Sequence, residues 1–318
     1  MPQDLVLCPV PKNVKPQPAA STRNKKIIYA AVALIIVLIP AVYFYSTFLS
    51  QPGEAKAAII DQLGSSKLDE SVRYENQTFI ESAEELLYKR FSIVDYYSDN
   101  ATVAEYSKLA SAGYKLILWR AHSAEDLSSN YVAISTTEKI DSTDLNQYME
   151  NGQYDQYLEN GQLTFCNITG DSQSLYFSIT PTFIEQVMTG TFQGTVIVLM
   201  SCNGLEPGYL KTAHALEAKG AEVIISWDNW IGTSDNDYAT SLLLQCLIND
   251  NDTVSVAVSK IPVSSSPEYG YTQLQYDPQS LDVANYTIPD YRKPGETNSA
   301  LMIVPVSEKV DGPRGNRF

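Results

Sequence analysis

Two side chains in this sequence have the right chemistry for nucleophilic catalysis, and each stands where an apolar run ends. Cys202 closes the stretch Thr195–Gly204, TVIVLMSCNG, and His122 follows Tyr114–Ala121, YKLILWRA. A thiol attacks as its thiolate, and with an ordinary pKa of about 8.5 it needs a base or a cation beside it. Histidine is the usual base, and the chain has two. His214 falls inside LKTAHALEAKG, a helical segment where a surface or groove-facing role is expected, which leaves His122. The pair is eighty positions apart, so only the fold can join them. Taken singly each is compatible with a structural role, since a buried cysteine behaves as a small hydrophobe. Two histidines and four cysteines show neither C-x-x-C nor H-x-x-x-H spacing, and no Walker loop or G-x-G-x-x-G occurs. Neither a metal nor a cofactor is therefore expected.

The elements that must position this pair alternate between strand-like and helix-like patterns, the sign of a mostly parallel sheet with helices on both faces. Lys56–Asp61, Phe91–Tyr97, Tyr114–Ala121, Thr195–Ser201 and Ala221–Trp227 read as core strands. Phe79–Arg90, Thr102–Gly113, Gly208–Lys219 and Ser234–Ile248 read as the helices between and after them, and 253–261 as a further short one. Tyr131–Thr136 and Ser174–Ile179 look like short strands flanking a polar insertion, and Pro181 opens a helix over Thr182–Met188. A long excursion follows at 264–298, and Ala300–Val306 reads as the last strand. In open parallel sheets, functional groups gather beyond the carboxyl ends of the strands, where both His122 and Cys202 fall.

The N-terminus supplies a separate signal. Ile27–Leu49 is a run of 23 uncharged residues, enough for a helix to cross a hydrocarbon core of about 30 Å. Five basic residues and only one acid precede it, which keeps the N-terminus in the cytosol and sends the rest outside. The expected organisation is a cytosolic tail (1–26), a transmembrane anchor (27–49), a linker (50–55), an α/β domain (56–306, with insertions at about 123–180 and 262–299) and a C-terminal tail (307–318). The alternative for the apolar run is a cleaved signal peptide, but it exceeds a typical h-region and no A-x-A site follows. Beyond the span lie 17 basic and 36 acidic residues, a net charge of −19, which argues against nucleic acid or anionic lipid as a partner. Five N-x-T sequons, at Asn76, Asn100, Asn167, Asn251 and Asn285, fall on the same side, where glycosylation is chemically available. Three thiols there, Cys166, Cys202 and Cys246, cannot all pair within one molecule; Cys202 is the candidate free thiol, with a Cys166–Cys246 bridge as one option.

The order strand, helix, strand, helix, strand-His, hairpin insertion, strand-Cys, helix, strand, helix resembles the caspase–gingipain–legumain class of cysteine peptidases, and most nearly its CHAT-type and gingipain-type domains. VIVLMSCNG is similar to the class's apolar run before cysteine, and YLKTAHALEAKGAEVIISWD to the helix, Gly-Ala and strand-Trp segment after it. The resemblance covers roughly Lys56–Ile261 and implies a three-layer caspase-like fold. It also implies a membrane-anchored, extracytoplasmic endopeptidase that needs no cofactor and acts on a peptide or protein substrate. Cys202 would attack the carbonyl, His122 would manage the proton, and the backbone amides of Ser123 and Cys202 would hold the oxyanion. The class usually reads His-Gly where this chain reads His122-Ser123. Many members recognise basic residues through a buried acid, for which Asp61 and Asp228 are candidates, with Trp227 and Trp230 as candidate cleft walls. Each of the four is equally compatible with a capping, turn or packing role. Two rival readings are a catalytically inactive caspase-like binding or scaffold module and a sortase-like transpeptidase. The second also requires a β-barrel and an arginine after the cysteine, and the first such arginine is Arg292.

Overall fold

A computed structural model describes residues 55–141, 152–168, 174–267 and 270–292. The apolar run 27–49, the linker up to residue 54, the strand expected at 300–306 and the C-terminal tail lie outside them. Among the described residues no helix is long and apolar enough to cross a membrane.

In chain order the elements are β1 (Lys56–Asp61), α1 (Gln77–Leu87), β2 (Ile93–Tyr97), α2 (Val103–Tyr106), β3 (Tyr114–Arg120), β4 (Ser123–Asp126), β5 (Tyr131–Asp141) and α3 (Asp155–Glu159). They continue with β6 (Leu163–Cys166), β7 (Ser174–Ile179), α4 (Pro181–Gln186), β8 (Thr195–Met200), α5 (Lys211–Ala218), β9 (Ala221–Trp227) and α6 (Thr233–Leu244). The last are α7 (Val254–Ser259), β10 (Ser264–Ser266), β11 (Gly270–Thr272), β12 (Leu274–Asp277) and α8 (Leu281–Ala284). The fold is mixed α/β around a mostly parallel six-stranded sheet of order β12-β9-β8-β3-β1-β2.

Period-two alternation distributes the core. Ala57, Ile59, Leu116, Leu118, Val196 and Val198 meet apolar residues of α1, α6 and α7. Their alternates Ala58, Ile60, Ile117, Trp119, Ile197 and Leu199 meet those of α2, α4 and α5. Because both faces are covered, the central strands read as unbroken apolar runs, the pattern of a buried parallel sheet. Each fully buried aliphatic side chain of this kind contributes about 1.5–3 kcal/mol.

Several expectations need correction. The helix expected over 102–113 is broken into α2 and a 3-10 turn at Leu109–Ser111. The Ser107 carbonyl, which would accept from Ser111 in a continuous helix, accepts instead from Thr189 N–H at 2.7 Å, and Ser111 N–H turns to Lys108. The helix expected from Gly208 starts only at Lys211, because Leu210 is held in a bridge to Tyr131. The stretch read as an excursion, 264–298, contains a hairpin (β10–β11) and the edge strand β12, which pairs antiparallel with β9. The insertion after β3 is more regular than its polar sequence implies: β4, β5, β7 and β6 form a second, antiparallel sheet. Cys166, Cys202 and Cys246 are all free thiols, so no Cys166–Cys246 bridge exists.

Candidate functional site

Strands β3 and β8 are parallel neighbours with Arg120 opposite Met200, and Ala121 N–H reaches the Met200 carbonyl at 3.4 Å. His122 and Cys202 each lie two residues beyond that paired register, at the carboxyl edge of adjoining strands. Both line one cleft of about 560 Å³. Its apolar wall includes Leu63, Met200, Trp230 and Ile231, and its polar lining includes Ser123, Glu125 and Ser201. Thus the tertiary fold brings together the two residues that the sequence left eighty positions apart.

His122 is held on several sides. Its backbone N–H donates to Gln62 Oε1 at 2.9 Å, its carbonyl accepts from Ser135 N–H at 2.9 Å, and Gln62 Nε2 in turn donates to the Thr136 carbonyl. The ring nitrogen Nε2 lies 2.8 Å from the Val72 carbonyl. A carbonyl can only accept, so Nε2 carries the hydrogen and Nδ1 is left with the lone pair. Val72 is anchored in turn by a small apolar cluster with Leu68, Ile168 and Tyr176, which ties the β1–α1 loop to the second sheet. Burial pushes the His122 imidazole below its ordinary pKa; the Val72 hydrogen bond opposes this and the nearby Arg120 charge adds to it. At neutral pH the ring is therefore a neutral base.

Cys202 sits at the mouth of a tight turn. Asn203 adopts a left-handed conformation (φ 58°), and a Cβ on Gly204 would stand 2.2 Å from Ser226 Oγ, so only glycine fits there. The Cys202 sulfur accepts from Ile231 N–H at 3.5 Å, and its S–H reaches the Ile231 carbonyl at 3.6 Å. Burial raises its pKa; the Ile231 contact lowers it and the Glu125 carboxylate raises it further. Both shifts favour the uncharged forms, a thiol at Cys202 and an imidazole at His122.

The Ser123 hydroxyl donates to the Cys202 carbonyl at 2.8 Å, tying the segment after β3 to the segment after β8. Glu125, on β4, accepts from Asn203 Nδ2 and is the acidic side chain that lines the cleft.

No family model matches the chain, and no curated protein does.

The other expected site residues are placed elsewhere, each with a structural partner. Asp61 is buried and ion-paired with Arg120, and also accepts from Gly64 N–H and the Tyr96 hydroxyl. Asp228 accepts from Gln273 N–H at 2.7 Å and the Thr272 hydroxyl, fixing the approach to β12. Trp227 is in the core with its Nε1 donating to Asn236 Oδ1 at 2.9 Å. Trp230 alone among these four lines the cleft. Sequence reasoning missed Gln62, the Val72 carbonyl, Glu125 and Ile231. Gln62 carried a readable signal, a second polar residue after Asp61 just past the apolar centre of the strand KAAIID. The other three did not, because two act through their backbone and Glu125 sits in a strand of unremarkable composition.

Proposed function

We propose that the chain is a membrane-anchored, extracytoplasmic cysteine endopeptidase of caspase-like three-layer fold, with Cys202 as nucleophile and His122 as general base. The observation that carries this reading is the hydrogen bond from His122 Nε2 to the Val72 carbonyl, at the rim of the cleft that Cys202 also lines. It fixes the tautomer with a basic Nδ1, which is what a base serving a thiol requires.

In this mechanism the Cys202 thiol gives its proton to His122 Nδ1 as the sulfur bonds to the scissile carbonyl carbon. Backbone N–H groups at Ser123 and Cys202 receive the oxyanion. The imidazolium then protonates the departing amine, leaving a thioester that water hydrolyses with His122 again as base. Because both groups rest in their neutral forms, proton transfer accompanies attack instead of preceding it. Glu125 is the cleft's acidic group and favours a basic side chain in the substrate.

A second reading, a non-catalytic binding module, is favoured by one observation: the sulfur is engaged with Ile231 and buried enough to stay a thiol. A sortase-like enzyme is disfavoured by an open parallel sheet in place of a barrel. A thiol-reactive peptidyl probe separates the first two. Labelling that disappears in both Cys202→Ala and His122→Ala supports the peptidase; absence of labelling across basic, acidic and apolar probe sequences supports the binding module.

A further inference from the structure

Away from the cleft, α5 and β12 bring three ligand-type side chains together. His214 and Glu217 are three residues apart on α5, so one face of the helix presents both. Asp277, the last residue of β12, lies beside them with its Oδ2 3.5 Å from His214 Nε2. One ligand atom from each of the three falls within 4.8 Å of the others. Both platforms are fixed: β12 pairs with β9, Asp277 opposite Ile224, and α5 packs its Ala213, Ala215 and Leu216 into the core.

Glu217 Oε1 is shut off from solvent and receives no N–H or hydroxyl hydrogen bond; the neighbour within reach of the Glu217 carboxyl is the Asp277 carboxyl, with which it can share a proton. Leaving a carboxylate oxygen in that state is costly, and native structures satisfy such atoms with a proton, a water or an ion. Burial and the adjoining Asp277 carboxyl together disfavour two full negative charges at this spot unless a cation is present. His214 is the third member, with its side chain 58% exposed, and it opens the cluster to solvent. A cation bound here would take the place of a proton between the two carboxyl groups and use an imidazole that already stands 3.5 Å from Asp277.

We propose that His214, Glu217 and Asp277 bind a divalent transition-metal ion of the zinc class and thereby clamp the edge strand β12 to α5. One imidazole nitrogen with carboxylate oxygens suits zinc and its first-row neighbours. Calcium and magnesium instead prefer six or more oxygens, and a nitrogen ligand is foreign to them. Three protein ligands leave a fourth position for water at the exposed side.

The test uses the full chain, stripped by a chelator and titrated with Zn²⁺ in a calorimeter, with Co²⁺ as an optical probe. The expected result is one ion per chain, visible cobalt absorption bands and a melting temperature that rises with metal. His214→Ala weakens binding by more than about tenfold, as does the near-isosteric Glu217→Gln, since losing a ligand costs at least as much as losing a residue that only orients one. Both variants keep the melting temperature of the metal-free parent. Cys246→Ser binds as the parent does. No uptake, or uptake unaltered in both variants, overturns the proposal. Uptake abolished by Cys246→Ser overturns it too, because the ion then belongs to Cys246, Asp250 and Asp252.

Discussion

Arg120 and His122 lie two residues apart at the end of β3, and the molecule treats them in opposite ways. Arg120 is fully buried and charged, with one carboxylate on each side: Asp61 from β1 and Asp237 from α6, the latter held bidentately at 2.7 and 2.9 Å. Asn76, the cap of α1, adds its amide to Asp237 at 2.8 Å, so the network stitches four elements together. His122 is half-buried and neutral, and next to it Cys202 keeps its proton. A buried charge is tolerable only when paired and hydrogen-bonded. The carboxyl edge of this sheet therefore has a sealed ionic layer and, directly above it, an unsealed neutral pair. The lower layer holds the strands in place, while the upper one is the pair to which the proposed chemistry is assigned.

Four experiments break or sharpen this contrast. The largest effect is expected on activity: Cys202→Ala should reduce probe labelling or turnover by at least about 10³-fold while leaving the melting temperature nearly unchanged. If it instead melted the protein as severely as a change in the ionic layer, the two layers would not be separable. Next is Asp237→Ala, which leaves Arg120 short of a partner and should cost about 3–5 kcal/mol of stability in denaturant unfolding. A loss of under about 1 kcal/mol would show that the network is not a structural clamp.

The third experiment follows stability against pH. The folded His122 has a depressed pKa, so below the ordinary value of about 6.5 the unfolded chain takes up a proton that the folded one resists. Its contribution is intact above about pH 6.5 and is lost as pH falls towards the folded pKa. Cys202 has a raised pKa, so its contribution is lost as pH rises past the ordinary thiol value of about 8.5. The wild type should lose its stability relative to His122→Gln on the acid side only, and relative to Cys202→Ser on the alkaline side only. Melting temperatures across roughly pH 4–10, a range that brackets the two ordinary values, would read this, and parallel curves for all three proteins would remove the neutral-pair description. The smallest effect is Ser123→Gly. Losing the bond to the Cys202 carbonyl should cost about 1 kcal/mol or less, with labelling retained. Abolished labelling would make the hydroxyl part of the machinery rather than a tie.

Much of the strand layout is legible in the sequence. KAAIID, SLYFSI and AEVIISW form strands with the ends that their residues predict, because unbroken or alternating apolar runs bounded by turn residues leave few alternatives. What the sequence hides depends on partners distant along the chain. Nothing local in YSKLAS announces that Thr189 will capture the Ser107 carbonyl and split the helix. The polar segment 270–277 has no clear strand pattern, yet backbone bonds to β9 make Leu274–Asp277 an edge strand. At the site, His122 and Cys202 are visible as residues that end apolar strands. Asp61 is visible too, but as a candidate for substrate recognition, because the sequence cannot say that Arg120 has already claimed it.

The residues themselves determined which chemistries were available: four thiols, two imidazoles, an excess of acidic over basic residues and apolar runs of the right length for a covered sheet. They also favoured a bend after Cys202, since Asn203 takes a left-handed conformation that most residues resist. Only the tertiary structure decided that β3 and β8 would be neighbours, that His122 would lend its Nε2 hydrogen to Val72, and that Arg120 would be neutralised two residues below. Hydrophobic periodicity is local and is written in the chain. Strand order, tautomer and charge pairing depend on groups brought together from far along it, and these exist only once the sheet has formed.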